Sequence, residues 1–259
     1  MSDRGAPAGL PPLKGTHLAA GAWRAMQANA RALLPIGLAY AASSVLAEQV
    51  AGQLGALDPG AGPTPAFLAY GLASGVFGAV LSGFALRRLL APERGVFRLD
   101  LGLVVYVLLM AGAGLVMNLF ALNMAGPAPD PTDTAAAGPY VARSLGLLIL
   151  LTLAIWAWLR LTLWPIGVLL GDRRIRPSVS FRLMRRGVLA VILGSLILGL
   201  GPLIVYGVIA AQDGRGDALL RQVIGAPFLA FFAVSAAAVQ AEAYRQRVLQ
   251  ARDVADTFD

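Results

Sequence analysis

Apolar residues run along this chain in stretches of about twenty, interrupted by short polar segments. A helix rises about 1.5 Å per residue, so roughly twenty apolar residues cross the ~30 Å of a bilayer's hydrocarbon layer. Six stretches meet that length: residues 32–53, 66–86, 101–122, 141–163, 188–210 and 223–244. They are continuous rather than alternating, and Ala, Leu and Gly dominate them, which predicts helices and not the strands of a barrel. The breaks carry turn chemistry, as in ALDPGAGPTP, APERG and AGPAPDPTDTAAAGP. The expected fold is all-α and polytopic: residues 1–15 a disordered tail, 16–246 a six-helix transmembrane domain, and 247–259 a C-terminal tail.

Composition agrees with the pattern. Hydrophobic residues make up 58% and charged residues only 14%, against about a quarter charged in a soluble domain. The net charge of +7 would raise nucleic acid as a partner in a soluble protein, but here the charge is distributed by membrane side. Arg4, Lys14, Arg24 and Arg31 precede the first span, and Arg87, Arg88, Arg94 and Arg98 follow the second. Arg173, Arg174, Arg176, Arg182, Arg185 and Arg186 follow the fourth, and Arg245, Arg247 and Arg252 follow the sixth. Only Arg143, Arg215 and Arg221 fall on the other side, with Arg160 inside a span. The positive-inside rule then predicts cytoplasmic termini. The preference for arginine over lysine fits a GC-rich bacterial genome, and so a bacterial inner membrane.

Two cationic pieces precede spans one and five. In SFRLMRRG, Arg182, Arg185 and Arg186 share one side of a helical wheel while Phe181, Met184 and Val188 take the other. In AWRAMQANARALL, Arg24 and Arg31 lie together, with Leu18, Ala22, Met26 and Leu33 opposite. Each predicts an amphipathic helix lying among headgroups, its arginines against anionic lipid. Pro35 is read as the joint between the first such helix and span one.

Within the spans, Gly71, Gly75, Ala79 and Gly83 recur every four residues, the spacing that lets helices approach backbone to backbone. The stripe predicts a helix–helix seam, either inside the bundle or between copies. Gly201 and Pro202 predict a kink deep in the fifth span, and with Asn118 they are the candidate border of a cavity. Arg160, in WAWLRLTLWP, is expected to snorkel to the interface within a belt of Trp156, Trp158 and Trp164. Glu48 lies near the outer end of span one.

Chemistry is thinly represented. There is no cysteine and a single histidine, His17, so thiolate catalysis and His-rich or Cys-ligated metal sites are unsupported. The chain contains no Gly-x-Ser-x-Gly elbow, Walker loop or complete Gly-x-Gly-x-x-Gly. The Arg-Gly-Asp of residues 215–217 reads as a plain turn. No catalytic residue, metal site or cofactor is expected.

Arg160-Leu-Thr-Leu-Trp-Pro165, Gly171-Asp172 and Ser180-Phe181-Arg182-Leu183 followed by Gly187 resemble the inner-face element of a group of six-helix bacterial membrane proteins. That group includes the membrane domain fused to some glycerophosphodiester phosphodiesterases. Phe181 stands where it more often has Trp, and Met184 where it has Thr. The resemblance implies a non-catalytic six-helix module. The expected function is to organise partners or sense lipid through Arg173, Arg174, Arg176, Arg182, Arg185, Arg186, Arg24 and Arg31. Expected partners are anionic phospholipids, with other membrane proteins or a second copy as further candidates and no nucleic acid. A small transporter or channel, working as a dimer, is the alternative.

Overall fold

The computed structural model describes residues 12–54, 64–124, 134–211 and 218–250. These form α1 (Gly15–Ala28), α2 (Ala30–Gln53), α3 (Pro65–Leu90), α4 (Leu101–Met124), α5 (Thr134–Leu161), α6 (Leu163–Leu169), α7 (Pro177–Leu183), α8 (Val188–Ala210) and α9 (Ala218–Tyr244). A 3-10 turn, Pro92–Arg94, follows α3, and a π-helical turn, Arg245–Leu249, continues α9. Six of the helices are long and apolar enough to cross a membrane, and no strand occurs among the described residues. The chain is an all-α, multi-pass membrane protein.

α9 is the centre of the bundle. It packs against α8, α2, α3 and α1, while α3 carries α4 on its other side. α5 is the least buried span and α9 the most. The small-residue stripe of α3 is used within the chain. A Cβ at Gly75 would lie 3.7 Å from the Ala111 Cα of α4, and one at Gly71 would lie 3.5 Å from Asn118 Nδ2. Gly83 fits against Leu103 and Tyr106, and Ala79 is buried. Lipid provides no hydrophobic force between helices, so close packing of this kind holds the α3–α4 pair together. Beside it, the Ser82 hydroxyl and the Tyr106 hydroxyl lie 3.2 Å apart.

The core is lopsided. Leu33 and Ile36 open α2, Ala85, Leu86 and Leu89 close α3, Leu103 and Tyr106 open α4, and Val188 and Val191 open α8. All of these belong to the helix ends where the arginines cluster, and the second half of α9 with the π-helical turn after it completes the set from Val234 to Val248. Toward the opposite end, side chains such as Leu46, Val50, Leu148, Ile149, Ile204 and Val208 are exposed, as befits surface solvated by lipid. The molecule is a packed basic platform from which six helices project.

Several sequence expectations are corrected. The joint before the first span lies at Asn29, not Pro35, which sits inside α2. The Asn29 amide Nδ2 donates to the Ala25 carbonyl at 2.9 Å, capping α1 with the side chain. The apolar face of α1 does not rest on lipid: Leu18, Ala22 and Met26 are buried against the bundle. A Cβ at Gly15 would come 2.7 Å from Leu193 Cβ of α8. The second amphipathic piece is only partly helical. α7 ends at Leu183, and Arg185 and Arg186 stand on the turn that leads to α8. The C-terminal tail does not start at 247, because Arg247 and Val248 are buried in the π-helical turn. At the other terminus Leu13 is buried. The tail residues 1–11 and the Arg-Gly-Asp turn lie outside the described residues.

Candidate lipid- and partner-binding face

The basic platform is assembled from short apolar anchors with arginines between them. In α6, Leu163, Ile166 and Leu169 are buried, and the loop that follows turns at Gly171, whose φ of 68° is the left-handed region that favours glycine. The Asp172 amide donates to the Gly167 carbonyl at 2.8 Å, and the Asp172 carboxylate accepts from the Arg174 amide at 3.1 Å. Ile175 is buried, packed onto Gly167, where a Cβ would meet it at 2.7 Å. With Ile175 directed inward, its neighbours Arg173, Arg174 and Arg176 are left exposed on a fixed loop.

The same division recurs in α7 and α1. Ser180 is fully buried and its hydroxyl donates to the Arg160 carbonyl at 2.9 Å. Met184 is fully buried too, while Arg182, Arg185 and Arg186 are exposed. On α1, Gly21 sits against Glu242 of α9, and Arg24 points outward, its Nε 3.3 Å from the Ala20 carbonyl. Arg31, in the first turn of α2, is exposed as well. All eight arginines expected to bind lipid or partners are therefore on the surface of a framework that is itself packed.

Other arginines of this end are structural, which the sequence did not indicate. Arg87 is buried at the end of α3, where its guanidinium donates to the Asp100 carboxylate and the Arg98 carbonyl and lies 3.5 Å from the Leu169 carbonyl. It thus ties the loop between α3 and α4 to α6. Burial alone would raise the Asp100 pKa. The Leu103 amide, the hydrogen bond from Arg87 and the charges of Arg87 and Arg98 outweigh it and hold the carboxyl below its ordinary range. Arg245 pairs with Glu242 at 2.8 Å and donates to the Leu89 carbonyl at 2.9 Å, joining α9 to α3.

Arg160 does not extend into open solvent. It is 8% exposed, and its Cζ lies 4.5 Å from the Trp156 ring centroid and 4.2 Å from that of Phe181. The two rings meet edge to face at 5.9 Å, forming a corner that holds the cation.

The expected cavity residues are dispersed. Asn118 is exposed on α4 beside Gly71, and Gly201 is exposed on α8 with open space around its Cβ position. α8 is helical throughout Val188–Ala210, with Pro202 inside it. A cavity of about 190 Å³ lies nearer the end opposite the platform, between α2, α8 and α9. Its polar lining is Ser44, Glu48, Tyr206, Arg221 and Gln222, and the Gln49 amide donates to Gln222 at 2.6 Å next to it. Of these only Glu48 was legible as an intramembrane charge, because Arg221 reads from the sequence as a loop residue. Compared with family models, curated proteins and solved structures, the chain matches none.

Proposed function

We propose that this protein is a non-catalytic component of a bacterial inner membrane, and that its basic face, on the cytoplasmic side, senses anionic lipid or organises partners. The observation that carries this reading is the alternation just described: buried anchors fix the backbone while Arg24, Arg31, Arg173, Arg174, Arg176, Arg182, Arg185 and Arg186 remain exposed at the surface. A preorganised cationic surface binds an anionic one without first losing loop entropy. An apolar groove of about 320 Å³ beside it, lined by Trp23, Gln27, Leu34, Leu38, Pro227 and Phe231, suits an acyl chain and favours lipid over a soluble partner.

The test is capture of phosphatidylglycerol vesicles by the immobilised, detergent-solubilised protein. Each arginine near an anionic surface contributes about 1 kcal/mol, reduced by screening within roughly 10 Å in 0.1 M salt. Changing Arg182, Arg185 and Arg186 together to Gln should weaken capture at least tenfold and flatten its salt dependence. Capture that is unchanged at low salt rejects the proposal.

A second reading, a small transporter, draws support from the cavity that Glu48 and Arg221 both line. Ionisable residues at membrane depth commonly mark a solute path. It predicts solute flux in proteoliposomes that Glu48→Gln lowers at least tenfold. Flux indifferent to that change rejects this site.

A further inference from the structure

We propose that Arg160, in the aromatic corner of Trp156 and Phe181, is the binding site for the phosphate of one membrane phospholipid. Its position is unusual on three counts. The residue is more than nine-tenths buried, its Nε is enclosed without a hydrogen-bond partner, and no carboxylate pairs with it among the described residues. The rings of Trp156 and Phe181 offer π density to the cation. They offer no acceptor to the five N–H donors of a guanidinium, which lie in its plane. A cation taken out of water is favourable only when an anion and hydrogen-bond acceptors are supplied. The described residues supply none there, and a partner from outside the chain can.

The surroundings indicate which partner. Arg160 lies in the last turn of α5, at the basic end of a span running from Tyr140 to Leu161. That is the level of the headgroups. α5 is the least buried of the six spans, and Trp156 is itself exposed, so the corner opens toward lipid and not toward the bundle. On the other side it is closed by α7, fixed through the hydrogen bond from Ser180 to the Arg160 carbonyl. A phosphate diester, with two oxygens to accept the planar fork of donors, matches an arginine in this setting. That chemistry is common to anionic and zwitterionic phospholipids, and inorganic phosphate carries it as well. The proposal rests on the lipid-directed reading above for the level of the bilayer. It differs from that reading in its demand: a single site that reads phosphate, not net negative charge.

Native mass spectrometry of the full chain, released from bilayers of defined composition after a high-salt wash, tests it. One phospholipid per chain should survive from bilayers of phosphatidylcholine and of phosphatidylglycerol alike. Diacylglycerol, which has the same tails without phosphate, should be retained at least tenfold less. Arg160→Gln should reduce retention at least tenfold, and Arg160→Lys, which keeps the charge but loses the planar fork, about threefold. The Arg182, Arg185 and Arg186 triple variant should keep its bound lipid. If that variant keeps it while its vesicle capture is also unchanged, only the exposed-arginine reading falls. Equal retention in Arg160→Gln overturns the proposal, and so does diacylglycerol held as well as phosphatidylcholine. Displacement by millimolar inorganic phosphate reassigns the site to free phosphate and overturns the lipid assignment. Should Arg160→Gln fail to assemble, the lysine variant and the diacylglycerol comparison decide.

Discussion

Replacing Asp100 by Ala is expected to destabilise the folded protein by about 3 kcal/mol, more than a hundredfold in the folding equilibrium, whereas Arg87→Met should cost about 1–2 kcal/mol. The inequality follows from burial. The Arg87 side chain is 3% exposed and that of Asp100 is 36% exposed. Without Asp100, a buried cation is left with only the Arg98 and Leu169 carbonyls. Without Arg87, the carboxylate that remains is one water can already reach. Denaturant unfolding of the two variants in the same detergent measures the difference, and equal losses would mean that the pair is solvated. The pH dependence has a definite sign. The folded Asp100 pKa is lowered, so its contribution is fully present above the ordinary carboxylate range and is lost as pH falls through the lowered folded value. The Asp100→Ala variant should therefore show a flatter loss of stability on acidification than the parent.

That latch also marks where sequence reading stops. The spans were legible because crossing a bilayer imposes a length on uninterrupted apolar sequence, and nothing in the folded bundle alters that constraint. Residues 188–210 and α8 coincide for this reason. The stripe of Gly71, Gly75, Ala79 and Gly83 was legible as a seam because close helix approach excludes larger side chains. Its partner was not, because the α4 residues that meet it, Leu103, Tyr106, Ala111 and Asn118, differ in size and carry no matching four-residue rhythm. Arg87 and Arg160 count in the sequence as topology charges like the rest. What separates them from Arg182 is their neighbours: Asp100 for one, and a ring contributed by α7 for the other. Neither relation is local enough to leave a spacing.

The joint at Asn29 illustrates a different limit. Proline punctuates sequence more strongly than asparagine, so Pro35 draws the assignment. Six residues into a helix, however, a proline removes one backbone hydrogen bond without ending the segment when neighbouring helices hold it. Asn29 ends α1 with both its backbone N–H and its side-chain amide donating to the Ala25 carbonyl. The buried face of α1 on α8 and α9 then fixes the direction in which the chain re-enters as α2. α1 was expected to be a float on the headgroup layer. It is instead a wall of the platform, and this makes the exposed Arg24 a fixed charge.

Gly199 and Gly201, two residues apart on α8, should respond to the same substitution in opposite ways, and this gives the sharpest measure of how the spans are arranged. A Cβ at Gly199 would come 2.4 Å and 2.8 Å from carbons of the Phe232 ring of α9, whereas one at Gly201 meets nothing within 4 Å. A ring cannot yield as the end of a flexible chain can, so Gly199→Leu has to push α8 away from its most extensive partner. Overpacking typically costs about 1–3 kcal/mol, and a whole isobutyl group against a ring should cost about 3 kcal/mol or more. Gly201→Leu adds apolar surface where lipid already lies and replaces glycine in a helix, so it should be neutral or stabilising by up to about 1 kcal/mol. Melting temperatures of the two variants in one detergent settle the ordering. If Gly201→Leu proved the more damaging, the α8–α9 seam would be misplaced. Gly201 would then have to face a filled interior, and the transporter reading would regain the site at Gly201, Pro202 and Asn118 that the present packing takes from it.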